Sequence, residues 1–400
     1  MKLQRYCLLS LLVCILFIPY ETNILFIFGI EIEYFRYAIC LIVGLLFVLL
    51  IMQYRPDSNY LGKKVFYYLM LIWSIFILIN TIPSFQLEDR KIKVFITDSF
   101  IKLLIPFLLC IDFSKWLGTI RRFLIISTFI AISAISLFYV NNGINIEYIS
   151  YAFATPLGIR LFYFRFEKKE KSLFLIALLI LFLVPNLMIG RRAASLYLAF
   201  LIIYSIIVNI RPSTVGGGAK KNTTKSLSFI FMAIVIFFAA YAFQSVFDVF
   251  LFRMNYGFES RETVIEDFVN DFNFNGGWVV GRGLLGEVEG GVLATNAARG
   301  TRELVENGWL LYVLRGGIIY AVLFFIIGIE SIYNAFFKAK NSFCKIIAVY
   351  VLYAFIDMIG FGANFIDAKT FFLFFAISCC HSKRMLELTD ENIYSLYQQK

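Results

Sequence analysis

Charge is scarce in this sequence. Only 16% of its 400 residues are Asp, Glu, Lys or Arg, against roughly 25% in a soluble globular domain. That shortage excludes a soluble enzyme and a disordered tail. Proline is scarce too, at 7 residues, and histidine occurs once, as His381. The cysteines (Cys7, Cys14, Cys40, Cys110, Cys344, Cys379 and Cys380) lie in apolar runs or beside them. They make neither a disulfide framework nor metal-ligand spacing. Cys379, Cys380 and His381 read as a helix end rather than a zinc fragment. Gly216, Gly217 and Gly218 are not followed by the Gly-Lys-Ser/Thr of a phosphate loop, and with nearby lysines they form a flexible linker.

What is abundant is apolar surface. The chain is 60% hydrophobic and 18% aromatic, with 46 phenylalanines and a mean hydropathy of +0.79. Apolar runs near the ~20 residues that a helix needs to cross a bilayer recur throughout. The expected fold is all-α, a polytopic membrane protein of about twelve spans. They are placed at 6–20, 35–52, 65–83, 98–111, 123–140, 147–163, 173–189, 193–210, 227–250, 308–328, 346–361 and 369–380. The expected organisation is helices over 1–250, a large outer loop at 251–307, then the last helices and an inner tail over 308–400. The formal charge of +10 follows the positive-inside bias rather than nucleic-acid binding. With both termini inside, the inner segments carry about twice as many Lys and Arg as the outer ones.

The loop 251–307 stands apart, because every other loop is short. Ser260 can cap a helix. Val264, Ile265, Phe268, Val269 and Phe272 then share a face, with Glu266, Asp267 and Asp271 expected opposite. Seven glycines follow, including Gly281 and Gly283, in a stretch whose backbone can approach a ligand closely. The basic residues of the loop are Arg253, Arg261, Arg282, Arg299 and Arg302, with no lysine. A planar guanidinium pairs bidentately with phosphate or carboxylate, so the set points to phosphate or acidic-sugar handling. Each arginine could equally pair with the carboxylates of the loop itself. Arg191 and Arg192 occupy a tight outer turn, against the positive-inside bias. They serve either a site or snorkelling toward headgroups. Arg315, inside span ten, is a candidate by position. Lys102, Arg160, Asp248 and Asp357 share that argument more weakly.

At the end of the loop the chain reads VENGWLLYVLRGGIIYAVLFF. This resembles the O-antigen ligase and repeat-unit polymerase superfamily. Its ligase pattern is His-Asn, nine residues, Gly, two residues, then Gly, Thr or Tyr. Here Asn307, Gly317 and Tyr320 fit, and Glu306 stands in place of His. GRRAAS at 190–195 is similar to the basic turn of the family, and FESRE and GRGLLGE are similar to elements of its outer loop. Arg261 and Gly277 fit the Arg-x15-Gly pattern of the polymerases; Arg191 and Arg192 do not meet the companion Arg-x10-Gly pattern. The only histidine is expected inside, so the resemblance implies a polymerase rather than a ligase.

The resemblance implies glycosyl transfer on the outer face of the bacterial inner membrane, from a growing glycan on undecaprenyl diphosphate to the next lipid-linked unit. Arg191, Arg192, Arg261 and Glu306 are its catalytic candidates. Asn307, Arg315, Arg282, Gly281 and Gly283 are its substrate-binding candidates. No metal or other cofactor is implied. The expected partners are the lipid-linked donor and acceptor, membrane lipid and a chain-length regulator, with no nucleic acid. A ligase-like transferase and a lipid-linked oligosaccharide flippase or transporter are the alternatives.

Overall fold

The computed structural model describes residues 8–10, 12, 38–46, 49, 61–82, 113–140, 146–163, 169–189, 192–210, 263–289, 300–302, 305, 307–360 and 368–398. The expected spans 98–111 and 227–250, most of 6–20 and part of 35–52 lie outside the residues it describes. Within them the chain is mostly helical. The helices are α1 (Leu61–Thr81), α2 (Leu117–Val140), α3 (Ile146–Tyr163), α4 (Lys169–Met188) and α5 (Arg192–Ile210). Then come α6 (263–275), α7 (Gly308–Phe337), α8 (Ser342–Gly360), α9 (Ala368–His381), α10 (Lys383–Glu387) and α11 (Asp390–Gln398). Strands β1 (Val288–Glu289) and β2 (Thr301–Arg302) form a short antiparallel ladder, with Val288 opposite Arg302.

The stretches Leu117–Ser136, Gly308–Phe337 and Ser342–Ile359 are long and apolar enough to cross a membrane. α1, α4, α5 and α9 carry shorter apolar stretches. Packing depends on small residues where helices come closest. A Cβ on Gly158 of α3 would lie 2.7 Å from Leu201 of α5, and one on Gly328 of α7 would lie 1.9 Å from the Phe355 ring of α8. Around these approaches the interior is lined with Phe and Tyr. Phe113 meets Phe375 edge-on at 4.8 Å, and Tyr312 stacks on Phe324 at 4.7 Å.

The tail beyond α9 is not loose. The Asn341 amide donates to the Met385 and Leu388 carbonyls, and the Ser342 hydroxyl donates to Asp390. α10 and α11 are thereby folded against the α7–α8 turn. At the far end of α11, Arg121 of α2 donates to Gln398 and lies over the Tyr397 ring.

α7 departs most from expectation. It runs to Phe337 rather than ending near 328, and it is not one straight helix. Gly317 has φ 74° and ψ −179°, a combination open essentially to glycine alone. In a straight helix Trp309 and Phe324 would be about 22 Å apart along the axis. Their rings are 5.9 Å apart, and Tyr312 and Tyr320 are stacked at 5.6 Å. α7 is therefore an elbow, with the half-helix 308–316 folded against the first turns of 318–337.

Candidate functional site

The elbow is braced by the segment that precedes it, 263–289. Helix α6 buries Val264, Phe268 and Phe272 against Val305 and against Leu311 and Leu314 of the first half of α7. The strap 278–284 then runs into the break. The Arg282 N–H donates to the Leu314 carbonyl at 2.7 Å, and the Gly283 N–H donates to that of Arg315 at 3.1 Å. The Ile318 N–H donates to the Trp278 carbonyl at 2.7 Å. The Trp73 indole of α1 donates to the Gly316 carbonyl at 2.6 Å. Backbone groups exposed by a break in an apolar helix must find partners within the protein. Here the strap and α1 supply them.

This arrangement fixes the sequence-predicted glycines. Gly281 and Gly283 both have positive φ. A Cβ on Gly281 would lie 2.6 Å from the Gly317 nitrogen, and one on Gly283 would lie 2.9 Å from the Thr81 hydroxyl. The close approach expected toward a ligand is thus made toward α7 and α1. The Thr81 hydroxyl donates to Ile77 and accepts from the Leu284 N–H.

Arg282 is likewise turned into its own loop. Its guanidinium donates to the Asp271 carboxylate at 2.5 Å and to the carbonyls of Glu287, Asp271 and Gly276. It also lies 4.4 Å from the centre of the Phe272 ring. Asp271 was expected on the solvent side of α6; it is buried, which is a correction. Burial pushes its carboxyl up, but hydrogen bonds from Arg282, Asn275 and the Glu289 N–H, with the charge of Arg282, outweigh that. They hold it below the ordinary carboxylate value.

Arg315 is buried and donates to the Gly286 carbonyl at 3.0 Å. Asn307 caps α7, its side-chain oxygen accepting from the Trp309 and Leu310 N–H groups. Its amide donates across to Ile359 at the end of α8. Arg191, Arg261 and Glu306 lie outside the described residues. Arg192 begins α5, with only its backbone described.

Asp357, a weaker candidate from the sequence, sits in a second cluster whose other members the sequence did not point to. Lys369 of α9 pairs with Asp357 of α8, and its ammonium lies 4.9 Å from the centre of the Tyr197 ring in α5. Tyr353 donates to Asp357, Tyr350 donates to the Lys369 carbonyl, and the Tyr197 hydroxyl shares hydrogen bonds with Thr155 and Tyr350. Phe200 stacks on Tyr353 at 3.7 Å. The cluster ties the first turns of α5 to the ends of α8 and α9, and Asn307 reaches the same end of α8. The signal for it was a lone lysine opening one apolar run and a lone aspartate closing another. The strap lies at the other end of the 308–316 half-helix, about 13 Å away along its axis.

Among the described residues, no group of His, Cys, Asp and Glu could hold a metal ion. The chain matches no protein-family model, no curated protein and no solved structure.

Proposed function

We propose that the protein is a membrane glycosyltransferase. In this reading it polymerises undecaprenyl-diphosphate-linked oligosaccharide units into O-antigen, capsule or exopolysaccharide on the outer face of the bacterial inner membrane. One observation carries the reading. The Asn-x9-Gly-x2-Tyr pattern matches a discrete structural unit. Asn307 caps the half-helix 308–316, Gly317 ends it, and Tyr320 stacks back on Tyr312. The large loop packs on that same unit.

In the proposed reaction a sugar hydroxyl of the acceptor unit attacks the anomeric carbon of the donor. The bond from that carbon to the diphosphate oxygen breaks, and undecaprenyl diphosphate leaves with the electron pair. Glu306, immediately before the cap, takes the hydroxyl proton. Arg191, Arg192 and Arg261 stabilise the charge growing on the diphosphate, where one well-placed donor is worth roughly 3 kcal/mol. The reaction is read as metal-independent, with the charge on the diphosphate met by the arginines. Arg282 fits a structural role in the loop better than contact with substrate, given its four donations.

The test is polymerisation of a purified lipid-diphosphate unit in vitro, wild type against Glu306→Gln. Loss of about 10²–10⁴-fold, with substrate binding retained, is the expected result. Near wild-type turnover would remove Glu306 from the mechanism. A transporter reading has one observation in its favour, the Asp357–Lys369 pair inside the bundle, since intramembrane charges often mark transport pathways. A deletion strain separates the two. Losing a polymerase leaves single capped units on the surface, whereas losing a flippase traps units inside.

A further inference from the structure

The strap 278–284 carries two valines that point away from the protein. Val279 is 60% exposed and Val280 37%, although they follow Trp278 and precede Gly281 in the best-anchored stretch of the loop. The flanking helices show what surrounds them. On α7 the exposed residues Ile318, Val322, Phe325 and Ile329 recur at helical spacing, the signature of a face turned to lipid. On α1, Ile72, Ile75 and Ile79 do the same, and Ile82 just beyond it continues the row. The strap joins the upper ends of these two stripes. Its Trp278 carbonyl accepts from Ile318, the top residue of one, and its Leu284 N–H donates to Thr81, beside Ile82 at the top of the other.

Length sets the depth. The stretch 318–337 of α7 rises about 30 Å, the thickness of the hydrocarbon core of a bilayer. It is followed by Lys338 and Lys340, both exposed, as headgroup-level cations should be. With the lysines at one boundary, Gly317 falls at the other, and Val279, built against Gly317, falls there with it.

We propose that the strap is a lipid-contacting element, with Val279 and Val280 seated in the hydrocarbon edge of the outer leaflet and continuing the lipid-facing stripes of α1 and α7. The occupant is bilayer lipid. The Trp278 carbonyl and the Arg282, Gly283 and Leu284 N–H groups are already bonded to α7 and α1. The strap therefore strands few polar groups on either side of the valines, whose own backbone stays at the edge of the layer, within reach of headgroup water.

Nitroxide labels at single cysteines test this in nanodiscs, in a full-length chain with its native cysteines replaced. Labels at 279 and 280 should be relaxed more by oxygen than by a water-soluble nickel chelate. They should match a label at Val322 and differ from one at Glu289, exposed on β1. Labels at 279 and 280 that follow Glu289 would overturn the proposal. A photoreactive benzophenone residue at 279 in the otherwise native chain gives a second measurement. A phospholipid adduct, seen as a mass shift, is expected. Cross-links only to another segment of this chain, or to water, would overturn it.

Discussion

Replacing Gly317 with alanine attacks the elbow at its vertex. At φ 74° and ψ −179° a non-glycine residue costs about 1–3 kcal/mol. The methyl group would also lie 2.0 Å from the Val279 carbonyl oxygen, far inside ordinary carbon–oxygen contact. The strap must therefore leave. Leaving forfeits the three backbone hydrogen bonds joining it to Leu314, Arg315 and Ile318, each worth about 0.5–1.5 kcal/mol net. Several kcal/mol is a large share of the 5–15 kcal/mol that holds a typical fold. It falls on one loop, so local opening is expected rather than global unfolding. Hydrogen exchange read by mass spectrometry over 278–286 measures it. At 1.4 kcal/mol per tenfold, protection of the Arg282 and Gly283 amides should fall by roughly a hundredfold or more. Gly276→Ala is the matched control. It shares φ 74° but has nothing within 4 Å of the added Cβ, so it carries only the ~1–2 kcal/mol of the left-handed backbone. If Gly317→Ala loosens the strap no more than Gly276→Ala, the elbow does not depend on this close approach.

The basic turn is expected to be essential. Arg191→Ala with Arg192→Ala should abolish chain extension at normal expression, and lysine should rescue only partly because a fork becomes a point charge; full-length polymer from the double alanine variant would show that these residues only snorkel. The Asp271–Arg282 clamp should be acid-sensitive. The folded carboxyl lies below its ordinary value, so its stabilisation is present above about pH 4 and is lost as pH falls through the folded value. Limited proteolysis of 276–289 against pH should show this opening, and Asp271→Asn should remove the pH dependence. Lys369→Met should destabilise by about 3–5 kcal/mol by leaving the Asp357 carboxylate buried without its cation. Adding Asp357→Leu should recover part of the loss in thermal unfolding in detergent, and equal losses for the single and double variants would show that the pair is not coupled.

The apolar runs made the helices legible. α3, α5 and α8 lie within a few residues of the expected spans, since twenty apolar residues have few other stable conformations beside lipid. The elbow was not legible. Gly317 stands in a run that is apolar apart from Arg315, and what bends it is a strap from more than thirty residues earlier in the chain. Asp271 was misplaced for a different reason. It follows Val264 by seven residues, which returns it to the same face after two turns, but its charge argued for the water side. The partner that makes burial affordable, Arg282, comes eleven residues later through a glycine-rich turn of no fixed period. Asn307 and Gly317 were legible as a spacing, and the structure gives that spacing a physical meaning as the two ends of one half-helix. The pairing of Lys369 with Asp357 was illegible because segment order says nothing of how two helix ends are rotated toward each other.

The hydrogen bond between Arg121 and Gln398 joins positions 277 residues apart. A ribosome adding about 5–20 residues per second makes the second partner roughly a quarter of a minute to a minute after the first. During that interval the start of α2 is without the cover that α11 finally provides, and whatever shields it meanwhile must come away again. Synthesis of α11 thus acts as a latch on the helices already made.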